Sequence, residues 1–143
     1  MTSTSTAAAV VEPYIHSVRV RYGEVDMQRV VFNAHYLAYC DDAMDTWLRT
    51  IDVSFEAAGW DIMLKKAVLE WQGAAHLSDT IDIAVGVTRW GNTSFDVGFS
   101  GRVEDRAVFT ATITYVGVAT GTRTPTPTPE SIRGALGLVP ALP

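Results

Sequence analysis

Val18-Arg19-Val20-Arg21-Tyr22-Gly23-Glu24-Val25-Asp26-Met27-Gln28-Arg29-Val30-Val31-Phe32-Asn33-Ala34-His35-Tyr36-Leu37 passes from one periodicity to another. Before Gly23, Val18, Val20 and Tyr22 alternate with Ser17, Arg19 and Arg21, the period of two expected of a half-buried strand that begins near Ile15. Gly23 to Asp26 reads as a turn. Beyond it, Leu37, Cys40, Met44, Trp47, Leu48 and Ile51 recur at steps of three and four, which predicts a helix over 34–50. Asn33 stands where an N-cap would, and Phe32 and Tyr36 bracket the start as a hydrophobic staple would. Asp41, Asp42 and Asp45 occupy the opposite, wetted face.

Everything after the helix has β character. A short helix or loop ends at Gly59, and Ile62 to Trp71 reads as a strand whose alternation breaks at Lys65-Lys66. From Thr80 to Trp90, Ile81, Ile83, Val85 and Val87 share one face. Gly91-Asn92 turns the chain into Phe95, Val97 and Phe99, and Glu104-Asp105-Arg106 turns it again into Val108 to Val118. Three Thr-Pro units at 124–129 favour an extended, stiff segment, and a short helix over Glu130 to Leu136 is predicted after Pro129. The order is one strand, one long helix, then four strands. One helix cannot cover both faces of five strands, so the sheet is expected to curl around it. The apolar surface left over then calls for a second copy.

Composition bounds the function. The 143 residues carry 11 Lys and Arg against 16 Asp and Glu, a net charge of −5, with 48% hydrophobic residues. That suits one domain with a real core, expected over 14–136 between a disordered tail at 1–13 and a C-terminal tail at 137–143. An acidic balance argues against nucleic acid as a partner. No apolar run reaches the roughly 18 residues of a membrane span, and the N-terminal residues lack the basic start of a signal peptide, so a cytoplasmic setting is expected. The single cysteine, Cys40, falls on the helical stripe and reads as a buried apolar residue. There is no Cys/His cluster for a metal, no Gly-x-Gly-x-x-Gly and no Gly-x-Ser-x-Gly, and no cofactor is expected.

A carboxylate that follows the first strand, with a long helix starting about seven residues later, has one chemical use. A short loop can fold Asp26 back toward the helix N-terminus, where free N–H groups favour developing negative charge. An acid/base or nucleophilic carboxylate beside an oxyanion site is what acyl transfer requires. Taken alone, Asp26 is read first as a turn residue.

Tyr22, Asp26, Val30-Val31-Phe32, Asn33, Ala34 and Tyr36 together resemble the signature of the 4-hydroxybenzoyl-CoA thioesterase group of hotdog-fold acyl-CoA thioesterases. Ser78-Asp79 and Val87 to Phe95 are similar to that family's later strand turn, and the likeness covers about residues 15–130. The resemblance implies an α+β hotdog fold, a five-stranded antiparallel sheet wrapped around one long helix. It further implies hydrolysis of an acyl-CoA or acyl-carrier-protein thioester by a homodimer or homotetramer with sites at the subunit interface. Carried over by residue, Asp26 becomes the nucleophile or general base and the N–H of Asn33, or its neighbour, the oxyanion donor. Val31, Phe32 and Tyr36 of the signature are candidate substrate-binding residues, joined by Glu70, whose strand is expected near the pocket, and by Arg89, and less so Arg102, since arginine pairs well with CoA phosphates, a surface ion pair being the plainer reading of both. The chain departs from the family in the bulky Met27-Gln28-Arg29, where small residues are usual. It also has Asn33 where many relatives have His, the nearby histidine being His35. A hotdog-type hydratase would pair the Asp with a His five residues on, where Val31 stands.

Plainer readings stand beside these. Asn33 is read first as a cap, His35 as a hydrogen-bonded structural residue, Glu24 and Glu70 as solvated or partner-facing charges, and Tyr22, Tyr36 and Trp71 as core or interface. Two other functions compete with an acyl-CoA hydrolase. One is release of an acid from an acyl carrier protein in a polyketide-type pathway. The other is a module that binds acyl-CoA without cleaving it, which the bulky loop favours.

Overall fold

The computed structural model describes residues 8–143. The first strand, β1 (Tyr14–Arg19), precedes a single 3-10 turn at Tyr22–Glu24 and the long helix α1 (His35–Thr50). A four-residue helix, α2 (Phe55–Ala58), leads into β2 (Trp60–Trp71), β3 (Thr80–Trp90), β4 (Ser94–Val103) and β5 (Arg106–Ala119), and the last helix is α3 (Glu130–Leu136). All five strands form one antiparallel sheet in the order β1-β3-β4-β5-β2. This is the α+β architecture that the hotdog resemblance implies, with α1 against one face of the sheet.

That inner face holds the core. Ile81, Ile83, Val85 and Val87 of β3, Phe95, Val97 and Phe99 of β4, and Phe109, Ala111 and Ile113 of β5 are buried, every second residue of each strand. Each large side chain of this kind contributes roughly 1.5–3 kcal/mol when removed from water. α1 lies on them through Tyr36, Tyr39, Cys40, Ala43, Met44 and Trp47. The buried stripe is therefore turned slightly from the expected one, and Leu37 stays half exposed. Tyrosine is the reason. The Tyr36 ring meets Phe109 edge-on at 5.1 Å and Trp71 at 5.9 Å, so that the aromatic side of the helix takes the sheet. His16 of β1 holds Asp42 of α1 at 2.8 Å.

Two local expectations are corrected, and a third finds its cause. Tyr22 does not continue the buried side of β1. The strand ends at Arg19 and the 3-10 turn swings Tyr22 out to 83% exposure, while Val20 stays buried. Asn33 does not cap α1. The N-cap is Ala34, already in the helical region at φ −65°, and Asn33 instead accepts from the Tyr36 amide through its backbone carbonyl at 3.3 Å. The break at Lys65-Lys66 is a β-bulge between Leu64 and Lys66, which lets both flanks of β2 pair with β5.

The outer face is half covered. The Thr-Pro segment is extended, with the Thr126 amide donating to Gly117 O at 2.8 Å, and Ile132 and Leu136 of α3 are buried. Residues 137–143, expected as a tail, run across β3 and β4. Val139 sits over Gly86 and Leu142 over Gly98, two glycines paired across the strands, where an added Cβ would come within 2.5 Å and 2.7 Å of those side chains. Ser100 donates its hydroxyl to Pro143 O at 2.7 Å. Of the tail expected at 1–13, residues 1–7 lie outside the described residues, and Val11 N donates to Leu138 O while Leu138 N donates to Ala9 O. The opposite edge, β2, is long and bare. Met63, Leu64, Val68 and Trp71 are each close to half exposed along it.

Candidate active site

The segment between β1 and α1 is a small hairpin standing off the sheet. Val25 pairs with Val31, and the amide of Asp26 donates to Val30 O at 2.9 Å. Asp26 builds its tip. Its carbonyl accepts from Arg29 N at 2.9 Å, and its Oδ1 accepts from Gln28 N at 2.8 Å, an Asx turn. The returning limb is anchored beneath, where Val31 N donates to Ala75 O at 2.9 Å and Val30 bridges His76. Asp26 is half-buried, and its Oδ2 accepts no hydrogen bond among the described residues. One carboxylate oxygen thus holds the loop and the other stays unengaged.

Beside the carboxylate lies an open groove of ≈ 730 Å³ lined by Tyr22, Val25, Asp26, Met27, Arg29 and Leu77. Its walls are apolar and unusually exposed, Met27 fully so. Among the described residues its charged groups are Asp26 and Arg29 alone.

Glu24 fixes the root of this loop, and the sequence reading of it as a solvated charge is corrected. Its side chain is only 12% exposed. Oε1 accepts from the Arg21 amide at 2.9 Å and from the Tyr39 hydroxyl at 3.0 Å, and Oε2 accepts from Arg21 Nε at 3.0 Å. Burial works against its charge, yet the donors of Arg21 and Tyr39 outweigh it and hold the carboxyl below its ordinary value. Arg21 and Glu24 at a spacing of three were visible in the sequence. Tyr39, fifteen residues on, became a partner only once the helix was laid against the loop.

The other expected residues divide. At the start of α1, His35 N donates to Phe32 O at 2.9 Å, whereas the amides of Asn33 and Ala34 find no acceptor among the described residues. Phe32 is exposed, its ring meeting His35 edge-on at 6.1 Å. Val31 and Tyr36 are buried in the core. Glu70 faces outward opposite Thr110, while its neighbour Trp71 turns inward to Tyr36. Arg89 stands at the far end of β3, nine residues along from the Thr80 end that pairs with β1, about 30 Å away. It is also engaged, with Nε on Asp96 Oδ2 at 2.9 Å, a pair that holds Asp96 below its ordinary value. Arg102 spends itself on the carbonyl of Asp105. Within one protomer the structure therefore joins Asp26 to Met27 and Arg29 and sets Val31, Phe32 and Asn33 on the same loop. It leaves Glu70 and Arg89 elsewhere.

Cys40 is fully buried, and burial pushes its thiol up to about 12, so it is no nucleophile. Among the described residues no group of His, Cys, Asp and Glu is placed to hold a metal ion, and no helix is long and apolar enough to cross a membrane.

Comparison with known proteins agrees with the architecture. A model of the thioesterase-like superfamily matches residues 20–136. The chain belongs to that superfamily. A search of curated proteins found no match. Among solved structures, the chain is similar to a 1,4-dihydroxy-2-naphthoyl-CoA thioesterase from Synechocystis, with 19% identity and a TM-score of 0.76 over 86% of this chain and 94% of that one. It is similar to a probable thioesterase from Escherichia coli, with 23% identity and a TM-score of 0.74 over 79% and 88%. It is also similar to a Staphylococcus aureus protein solved in complex with CoA, with 15% identity and a TM-score of 0.77 over 88% and 84%. At these identities the likeness speaks for the fold.

Proposed function

We propose that this member of the thioesterase-like superfamily hydrolyses acyl-CoA thioesters, with Asp26 as its catalytic carboxylate. The observation that carries the reading is the loop itself. Asp26 is locked by the Gln28 and Arg29 amides at the edge of an apolar groove, with Oδ2 unengaged. Amides without acceptors follow at Asn33 and Ala34, where α1 begins.

The chemistry follows from those groups. Acting as base, Asp26 takes a proton from water as the water oxygen bonds to the thioester carbonyl carbon. The carbonyl oxygen becomes an oxyanion, held by the N–H of Asn33 or Ala34. Collapse breaks the carbon–sulfur bond, and the proton passes to the departing thiolate. Acting as nucleophile, Asp26 itself bonds to that carbon and expels the thiolate, and water then cleaves the resulting anhydride. Either route yields a free acid and a thiol.

The amides of Asn33 and Ala34 lie outside the groove of the single protomer, and the exposed apolar residues of β2 and of the groove await cover. We read the working unit as a homo-oligomer, a dimer at least, in which the partner closes the groove. The signature from Tyr22 to Tyr36 favours the 4-hydroxybenzoyl-CoA thioesterase group, and a cytoplasmic setting fits a CoA substrate.

The test is thiol release from a panel of acyl-CoA and acyl-carrier-protein thioesters, followed with a chromogenic thiol reagent. Asp26→Asn is expected to fold normally and to lose about a hundredfold or more in turnover. Unchanged turnover in that variant would remove Asp26 from the mechanism. Binding by the wild type without thiol release would favour a non-catalytic acyl-CoA module, and release from the carrier protein alone would favour the biosynthetic reading.

A further inference from the structure

Arg29 adopts a backbone conformation that an arginine ordinarily avoids. Its φ is +65°, in the left-handed region where a Cβ crowds the following carbonyl and glycine is the usual occupant. The turn demands it, because Arg29 N must reach Asp26 O while the Asp26 amide bonds Val30 O. Glycine would meet that demand without strain. Strain kept at a site is grounds for looking for a use of the side chain.

The side chain has no use within the protomer. Arg29 is exposed, and its side chain makes no hydrogen bond or ion pair among the described residues. Arg21 is engaged with Glu24, Arg89 with Asp96, and Arg106 with Asp79 and the carbonyl of Ala74, whereas Arg123 shares the left-handed φ and the free side chain but lines a different groove, away from Asp26. Arg29 is also the one cation lining the groove beside Asp26. A groove holding only a carboxylate would repel an anionic substrate. A guanidinium on the same turn offsets that charge and offers a planar fork matched to carboxylate or phosphate oxygens.

We infer that Arg29 is a specificity residue that recognises an anionic oxygen group of the thioester substrate. This rests on the reading of Asp26 as the catalytic carboxylate. The group comes either from a carboxylate on the acyl portion or from a phosphate on the carrier. The short span from Asp26 to Arg29 on one turn favours the acyl side, since the CoA phosphates lie a full pantetheine arm from the sulfur.

The experiment compares wild type with Arg29→Asn, which tolerates the left-handed conformation while removing the charge. Four substrates separate the sources: a carboxylated acyl group and a neutral one of equal length, each as the CoA and as the N-acetylcysteamine thioester, which lacks phosphate. An acyl-side anion predicts that wild type favours the carboxylated group on both carriers, and that Arg29→Asn lowers this preference about tenfold, chiefly through KM. A carrier-side anion predicts the same loss in the preference for CoA over cysteamine, whatever the acyl group. Both preferences should weaken with added salt. Unchanged ratios in Arg29→Asn overturn the inference.

If wild type releases no thiol from any substrate, the hydrolase reading fails and the same uncleaved thioesters become ligands for calorimetry. Tighter binding to wild type than to Arg29→Asn then upholds the role of Arg29, and equal or absent binding overturns it.

Discussion

The Tyr39 hydroxyl donates to Glu24 Oε1 at 3.0 Å, so a residue on the sheet-facing side of α1 grips the root of the loop that ends in Asp26. Helix and loop are thereby registered to one another before any substrate arrives. Removing the hydroxyl by Tyr39→Phe should cost about 1.5–3 kcal/mol of stability, the usual worth of a hydrogen bond to a charged group. It should lower kcat more than it raises KM, because the loop is loosened rather than the groove altered. Denaturant melts together with steady-state kinetics check both halves. An unchanged kcat would show that the grip serves folding alone.

Glu24 makes stability depend on acidity. Its folded carboxyl lies below the ordinary 4.5, its burial being outweighed by the Arg21 and Tyr39 donors. A depressed carboxyl contributes stability that is fully present above the unfolded value and is lost as pH falls from about 4.5 through the folded value. Thermal melts of the wild type should therefore decline across that window. Glu24→Gln should start lower at neutral pH, by about 1–3 kcal/mol, and decline less. Parallel curves for the two proteins would remove Glu24 from the account.

Much of this was readable in advance. Alternation over Ile81 to Val87 and Phe95 to Phe99, and the three-and-four spacing after His35, are period signals that burial enforces, and they gave the element order. Asp26 could be singled out because the motif is local. Tyr22 and Glu24 were misread, and the partner of Arg89 stayed hidden, because such contacts are set by tertiary packing. A 3-10 turn rotates Tyr22 outward, Tyr39 comes to Glu24 only through α1, and Asp96 reaches Arg89 only across the β3–β4 pairing. Arg29 gave no sign, since a left-handed φ leaves no mark on an arginine in a sequence.

Tyr115 carries a buried hydroxyl with no hydrogen-bond partner among the described residues, and burial raises its pKa. An unmet polar group costs its desolvation. Tyr115→Phe should leave the fold intact and raise stability by about 1 kcal/mol, read from a denaturant midpoint. A loss of similar size would mean that a water molecule or a partner group serves that oxygen.

The bare edge of β2 is a prediction about assembly. Leu64 lies in that strand beside the bulge and is half exposed. Sedimentation should find the wild type as a dimer or larger, and Leu64→Arg should shift it toward monomer with loss of thiol release. An active monomer would show that one protomer holds a complete site.

At Gly98 the close approach of Leu142 leaves no room for a side chain. Gly98→Val should destabilise by about 1–3 kcal/mol through overpacking. It should also expose residues 137–143 to protease, whereas Thr112→Val on the uncovered part of the sheet should do neither. Equal protease resistance in both variants would show that the segment is held by other means.

The final segment also bears on how copies of this molecule could be arranged. Val139 and Leu142 roof the outer side of β3 and β4, while the threonines of β5 remain open to water. A second sheet cannot lie flat against this one across its whole width. With the segment in this place, a copy stacked back to back would have to sit offset from β3 and β4.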